Sequence, residues 1–145
     1  MLTYHDLSPH QQELLKKYPV YESLLAATYH NHGIDSKEKQ TAIEFIHVKT
    51  FHHDHLLADF YKEAEADFEK NLVLLNEQLP KEKKAREERI REEMAKIEKI
   101  VKKLGGEFAT AMHKSMEQFR EHVANAHQSL VEYFVFPIPI KGLTY

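Results

Sequence analysis

Apolar residues recur at intervals of three and four from Ser36 to Leu79, the spacing that one face of an α-helix produces. Lys49 and Thr50 interrupt this pattern, and His53 occupies a position that the pattern otherwise gives to core residues. The alternatives are one helix and a break near Thr50–Asp54, and because the pattern stays in phase through this region, one continuous or mildly kinked helix is favoured. Its positions are Ala42, Ile46, His53, Leu57, Phe60, Tyr61, Ala64, Phe68, Leu72, Leu75 and Leu79.

Two capping patterns mark where helices begin. Ser8 followed by proline, with Gln11 three residues later, is typical of a helix start in which the two side chains bond to each other's backbone. Asp35 and Glu38 have the same spacing in front of the long apolar pattern. We therefore predict a short first helix after Ser8 and a further helix start at Asp35.

Three more amphipathic segments are predicted to be helical, at about 19–30, 81–104 and 107–134. Pro80 ends the long pattern after Leu79, and the glycine pair 105–106 separates the last two helices. Three long helices joined by tight turns must run up and down beside one another. The short helices before residue 33 are expected to cover the groove that remains.

The final ten residues, 136–145, are apolar and begin with FPIPI, whose prolines rule out a helix. Because exposed apolar side chains favour aggregation, we expect this tail to pack into a groove. The groove belongs either to its own helices or to a second subunit, which would make a homodimer. The sequence thus predicts one all-α domain over 1–145, an up-and-down helical bundle of about five helices with an extended C-terminal tail.

Deletion of residues 136–145 is therefore expected to lower the melting temperature. Each buried apolar side chain of this size contributes about 1.5–3 kcal/mol, so even two or three of them would have a visible effect. Calorimetry measures the melting temperature, and light scattering shows whether a dimer becomes a monomer. An unchanged melting temperature together with an unchanged mass would contradict the packed tail.

Composition excludes several kinds of site. The 145 residues include no cysteine, which excludes disulfides, thiolate metal sites and cysteine nucleophiles. The net charge is −3, and glutamates are interleaved with the lysines of 81–99, so we predict a solvated helix face there and no nucleic-acid partner. No apolar segment approaches the length of a membrane span, and no signal peptide is visible, so a cytoplasmic location is expected.

Eleven histidines are the unusual feature of the composition, and imidazoles that converge can bind a divalent transition metal. The rows 52–63 and 113–121 both carry histidine and carboxylate, but they lie away from the apolar stripes and are predicted to face solvent. Glu44 and His47 form a Glu-x-x-His pair, yet Glu44 points outward, which disfavours a di-iron centre. His53 points inward, His127 borders the stripe of the last helix, and the other two candidates end the second helix. An inward histidine is either a hydrogen-bonded core residue or a metal ligand. The predicted metal site consists of His53, His127, His30 and His32.

The segment from Leu24 to Ile46, LLAATYHNHGIDSKEKQTAIEFI, resembles the tellurite-resistance TerB-like family of all-helical domains. Gly33, Ile34 and Glu38 match the turn and the glutamate that opens the following helix in that family. The resemblance implies a stress-response domain that binds a divalent cation. His32 stands where the family usually has aspartate, so the acidic metal site that the family implies is altered here.

No Gly-x-Ser-x-Gly, P-loop or dinucleotide-binding glycine pattern occurs in the sequence. We therefore predict a non-enzymatic helical binding or stress-associated domain, with a divalent transition metal as the candidate cofactor. The alternative is a small-ligand or metal-dependent enzyme whose inward pocket contains His53 and His127.

Overall fold

The structure is a computed structural model, and it describes residues 2–28 and 33–126. These residues form six α-helices and two short 3-10 helices. The α-helices are α1 (Pro9–Lys16), α2 (Tyr18–Thr28), α3 (Ser36–Phe51), α4 (Ala58–Gln78), α5 (Lys83–Lys103) and α6 (Gly106–Ala124). These residues contain no strand, and the predicted all-α fold is confirmed. Among them, no helix is both long enough and apolar enough to cross a membrane. The predicted tail 136–145 lies outside the described residues.

The predicted helix starts are present with the hydrogen bonds that define them. Ser8 Oγ accepts from Gln11 N at 3.1 Å, and Ser8 N donates to Gln11 Oε1 at 3.0 Å. Asp35 and Glu38 make the same reciprocal pair, at 2.8 and 3.0 Å. Gly105 separates α5 from α6 with a φ of 97°, a conformation that a side chain would strain. These local patterns were sufficient to place the starts of α1 and α3 and the boundary between α5 and α6.

The favoured prediction of one continuous or mildly kinked helix over 36–79 is wrong, and the alternative, a break near Thr50–Asp54, is observed. The chain leaves the α-helix after Phe51, passes through a 3-10 turn at His55–Leu57 and starts α4 at Ala58. α3 and α4 pack against each other as an antiparallel hairpin: Ile34 N donates to the Asn76 side chain at 3.3 Å, and His47 pairs with Glu65 at 2.7 Å.

The break has a local cause at Asp54. Its carboxylate accepts from Leu56 N at 2.9 Å, which caps a new helical turn, and histidine and aspartate are weak helix formers. A hairpin can therefore form although the apolar pattern continues in phase across the break. The last helix was predicted over 107–134, and α6 already ends at Ala124, while residues 127–134 lie outside the described part of the chain.

α2 is the central helix of the bundle, not a cover for a groove as predicted. All eleven of its residues are buried, and it packs against each of the other five α-helices. Its sequence, YPVYESLLAAT, is apolar on nearly every side, which is characteristic of a helix surrounded by protein. The polar side chains of Glu22, Ser23 and Thr28 are consequently buried in the core.

Candidate functional site

Of the four predicted metal ligands, only His53 lies within the described residues, and His30, His32 and His127 lie outside them. His53 sits in the turn between α3 and α4, so the helical register that predicted its inward direction does not apply. It is partly buried nonetheless, and its ring stacks on Tyr61 with a centroid separation of 6.1 Å. Its Nδ1 lies 2.9 Å from the Asp54 backbone oxygen.

The exposure of three other histidines agrees with the sequence prediction, but one of the three has a partner that the sequence did not indicate. His52, His55 and His113 are exposed. His113, however, is not simply solvated, because its Nε2 lies 2.8 Å from Glu98 Oε1 on the neighbouring helix α5. Within residues 2–28 and 33–126, no group of three or more histidine and carboxylate side chains converges as a metal site would require. A metal held by His53 together with His30, His32 and His127 stays a prediction.

A cavity of about 350 Å³ opens beside His53. Its walls come from the end of α3, the following turn, and the middle of α6. The side chains that line it are mostly polar: Lys49, His52, His53, Asp54, Leu57, Ala111, Lys114, Ser115 and Gln118. The packing of α3 against α6 thus brings His53 together with two lysines that the sequence did not associate with it.

Lys49 is the partly enclosed cation of this cavity. Its Nζ donates to Gln118 Oε1 at 2.7 Å, a neutral acceptor. Burial lowers the pKa of the Lys49 amine, and the neighbouring Lys114 ammonium lowers that pKa further. The sequence did contain a signal for this site, since Lys49 and Thr50 are the polar residues that interrupt the apolar pattern.

The cavity carries more positive than negative charge. Lys49 and Lys114 contribute two amines, and the one carboxylate among the described residues that line the cavity, Asp54, already accepts from Leu56 N. The imidazole nitrogens and the Ser115 hydroxyl add further hydrogen-bonding groups. The Ser115 hydroxyl is also hydrogen-bonded to the Tyr61 hydroxyl behind the cavity. Amines grouped with neutral donors are the usual partners of carboxylate and phosphate groups. The arrangement therefore suits a small anion better than a cation.

A second polar cluster lies between α2, α5 and α6, and sequence reasoning missed it. Glu22 is 3% exposed, and its Oε2 lies 3.8 Å from the Arg120 guanidinium without a hydrogen bond to any described residue. Next to it, Tyr18 OH donates to Glu98 Oε1 at 2.6 Å. Burial raises the pKa of Glu22 to about 7, although Arg120 and Arg91 act in the opposite direction. Glu22 is therefore an acid whose charged form the fold disfavours.

Comparisons of the chain with protein-family models, with curated proteins and with solved structures found no match. We therefore infer function from the residues that line the cavity beside His53.

Proposed function

We propose that this chain is a non-enzymatic helical binding domain whose site is the cavity beside His53 and whose ligand is a small oxyanion, a phosphate or a carboxylate. The observation that carries the proposal is the convergence of Lys49 and Lys114 from two different helices on one cavity. The volume of about 350 Å³ lies at the lower end of the range for small-molecule sites and suits a small metabolite.

The charges of the cavity support an anion over the metal that the histidines suggested. Two ammonium groups would repel a divalent cation, and each hydrogen bond from an ammonium to an anion contributes roughly 1.5–3 kcal/mol. A divalent metal bound by His53 with partners outside the described residues remains a separate prediction. The TerB-like resemblance, the stress-associated role and the cytoplasmic location likewise remain predictions.

Inorganic phosphate is the probe for the proposed site. We expect saturable phosphate binding in isothermal titration calorimetry at pH 7 and a melting temperature that rises with phosphate concentration. Lys114→Gln should weaken binding about tenfold or more, because loss of one charge-assisted hydrogen bond removes at least about 1.4 kcal/mol. Sulfate should compete with phosphate, since it presents similar oxygens.

Lys70→Gln is the matched control, because Lys70 is an exposed lysine of α4 that does not line the cavity. It removes the same charge from the protein and should leave the dissociation constant within about twofold, as expected for a distant, screened charge. Equal losses of affinity in Lys70→Gln and Lys114→Gln would show a diffuse charge effect. Absence of saturable binding to the unmodified chain would refute the anion site.

A further inference from the structure

Two enclosed lysines of this protein differ sharply in their surroundings. Lys16 is 6% exposed, and its Nζ donates to Asp67 at 2.8 Å and pairs with Glu13 at 2.6 Å. Although burial opposes it, these two carboxylates raise the pKa of Lys16. Lys49 is also partly enclosed, but its hydrogen-bond acceptor is the neutral amide oxygen of Gln118. Among the described residues, no carboxylate lies within ion-pair distance of Lys49 Nζ.

A lysine in such a place is chemically distinct from the other lysines. An ammonium that lacks a carboxylate partner and faces a second ammonium gives up its proton more readily than a solvated one. The neutral amine that results has a lone pair that can attack a carbonyl carbon. Lys49 also lines an open cavity, so a small molecule can reach its Nζ. Lys16 lacks the first of these properties, since two carboxylates hold its proton.

We propose that Lys49 is an amine nucleophile that forms a reversible imine with a small aldehyde or 2-oxo acid whose anionic group is held by Lys114. This inference rests on the proposed function, because the anionic group places the carbonyl within the cavity. It goes beyond that function by giving the site covalent chemistry and by naming the ligand as an anionic carbonyl compound. Lys49 would act as the nucleophile and Lys114 as the anion-binding residue.

The step balances without an oxidant or a reductant. The Nζ lone pair of neutral Lys49 forms a bond to the carbonyl carbon, and the π electrons of the carbonyl move to its oxygen, which takes up a proton. The nitrogen of the resulting carbinolamine loses its protons as the C=N bond forms, and the oxygen departs with a second proton as water. The products are one imine and one water molecule. Water can reverse the reaction by adding to the same carbon.

Glyoxylate with sodium cyanoborohydride tests this proposal on the full chain, because the hydride reduces an imine to a stable carboxymethyl amine. We expect peptide mapping by mass spectrometry to show Lys49 modified faster than Lys16 or Lys70 at pH 7. The reason is that Lys49 lines an open cavity without a carboxylate partner, and that the neutral fraction of an amine rises as its pKa falls. Labelling of Lys49 no faster than that of Lys70 would overturn the proposal.

Variants separate the roles of the two lysines. Lys49→Arg keeps a charge and a long side chain but removes the nucleophile, and should abolish the dominant adduct. Lys114→Gln removes a charge that lowers the pKa of Lys49, so it should slow labelling of Lys49 by both aldehydes. It should slow labelling by glyoxylate further than labelling by propanal, which has no anionic group. Equal effects on both aldehydes would contradict the assigned role of Lys114. The primary result comes from the unmodified chain, so it does not depend on whether a variant folds.

Phosphate distinguishes failure of this proposal from failure of the anion site. If phosphate binds with the expected dependence on Lys114 but Lys49 is not preferentially labelled, the anion site stands and the nucleophile is refuted. If phosphate does not bind and Lys49 reacts equally fast with glyoxylate and propanal, the anion site and the anionic ligand class are both refuted. Preferential labelling that phosphate slows in proportion to its occupancy supports both.

Discussion

Replacing Glu22 with glutamine is expected to stabilise the protein at pH 8 by about 3 kcal/mol more than at pH 4. Burial raises the pKa of Glu22 to about 7 from an ordinary value of 4.5, with Arg120 and Arg91 opposing the shift. The unfolded chain releases this proton near pH 4.5 while the folded chain retains it until about pH 7. The native protein therefore loses stability as pH rises through this window, and the loss is constant above it. Glutamine keeps the shape of the acid and cannot ionise.

Urea unfolding of the native protein and of Glu22→Gln at intervals between pH 4 and pH 8 measures this effect. The free energy of unfolding of Glu22→Gln minus that of the unmodified protein should increase steadily above pH 4 and reach its full value at about pH 8. Glu69→Gln is the control, because Glu69 is exposed on α4 and its replacement should shift stability by about 0.5 kcal/mol or less at every pH. Parallel pH profiles for the native protein and Glu22→Gln would contradict a buried protonated acid.

The second large effect is expected from Arg86→Ala, which should lower the free energy of unfolding by about 3 kcal/mol or more. Arg86 is 1% exposed, and its guanidinium donates to the backbone oxygens of Asn76 and Pro80 at 3.2 and 3.4 Å. It also donates to Asn76 Oδ1 at 2.5 Å, and the same oxygen accepts from Ile34 N. One side chain thereby joins the end of α4, the start of α5 and the residues that precede α3. Removing it leaves carbonyl groups without a donor and a space where the side chain was.

Arg89→Ala provides a matched comparison on the same helix. Arg89 is largely exposed, and its ion pairs among the described residues are with Glu92 and Glu93 of α5, at 3.8 and 3.4 Å. Its loss should change the free energy of unfolding by about 0.5 kcal/mol, as is usual for exposed ion pairs. Combining Arg86→Ala with Asn76→Ala should cost less than the two single losses together, because the residues share a hydrogen bond. Similar losses for Arg86→Ala and Arg89→Ala in urea unfolding would refute the joining role.

The helix starts and the helical faces could be predicted from the sequence because they depend on neighbours along the chain. The capping pair Ser8 and Gln11 lies three residues apart, so its hydrogen bonds form wherever the helix packs. The stripe of α6 is equally local, and its predicted core positions within the described residues are buried: Phe108, Met112, Met116, Phe119, Val123 and Ala126. An apolar stripe does not, however, state which helix it meets. For that reason the sequence did not identify α2 as the centre of the bundle.

The candidate site shows where sequence alone becomes insufficient. His53 and the polar interruption at Lys49 were visible in the sequence, but the other walls of the cavity come from Lys114, Ser115 and Gln118 on α6. The apolar pattern of 36–79 is compatible with a straight helix and with a hairpin. The structure has a hairpin, which puts His53 in the turn between α3 and α4. Local hydrogen bonding and periodicity determined the helices, whereas the packing of α3 against α6 brought two amines onto one cavity. That packing depends on contacts between residues more than sixty positions apart, such as Lys49 and Gln118, which no local pattern encodes.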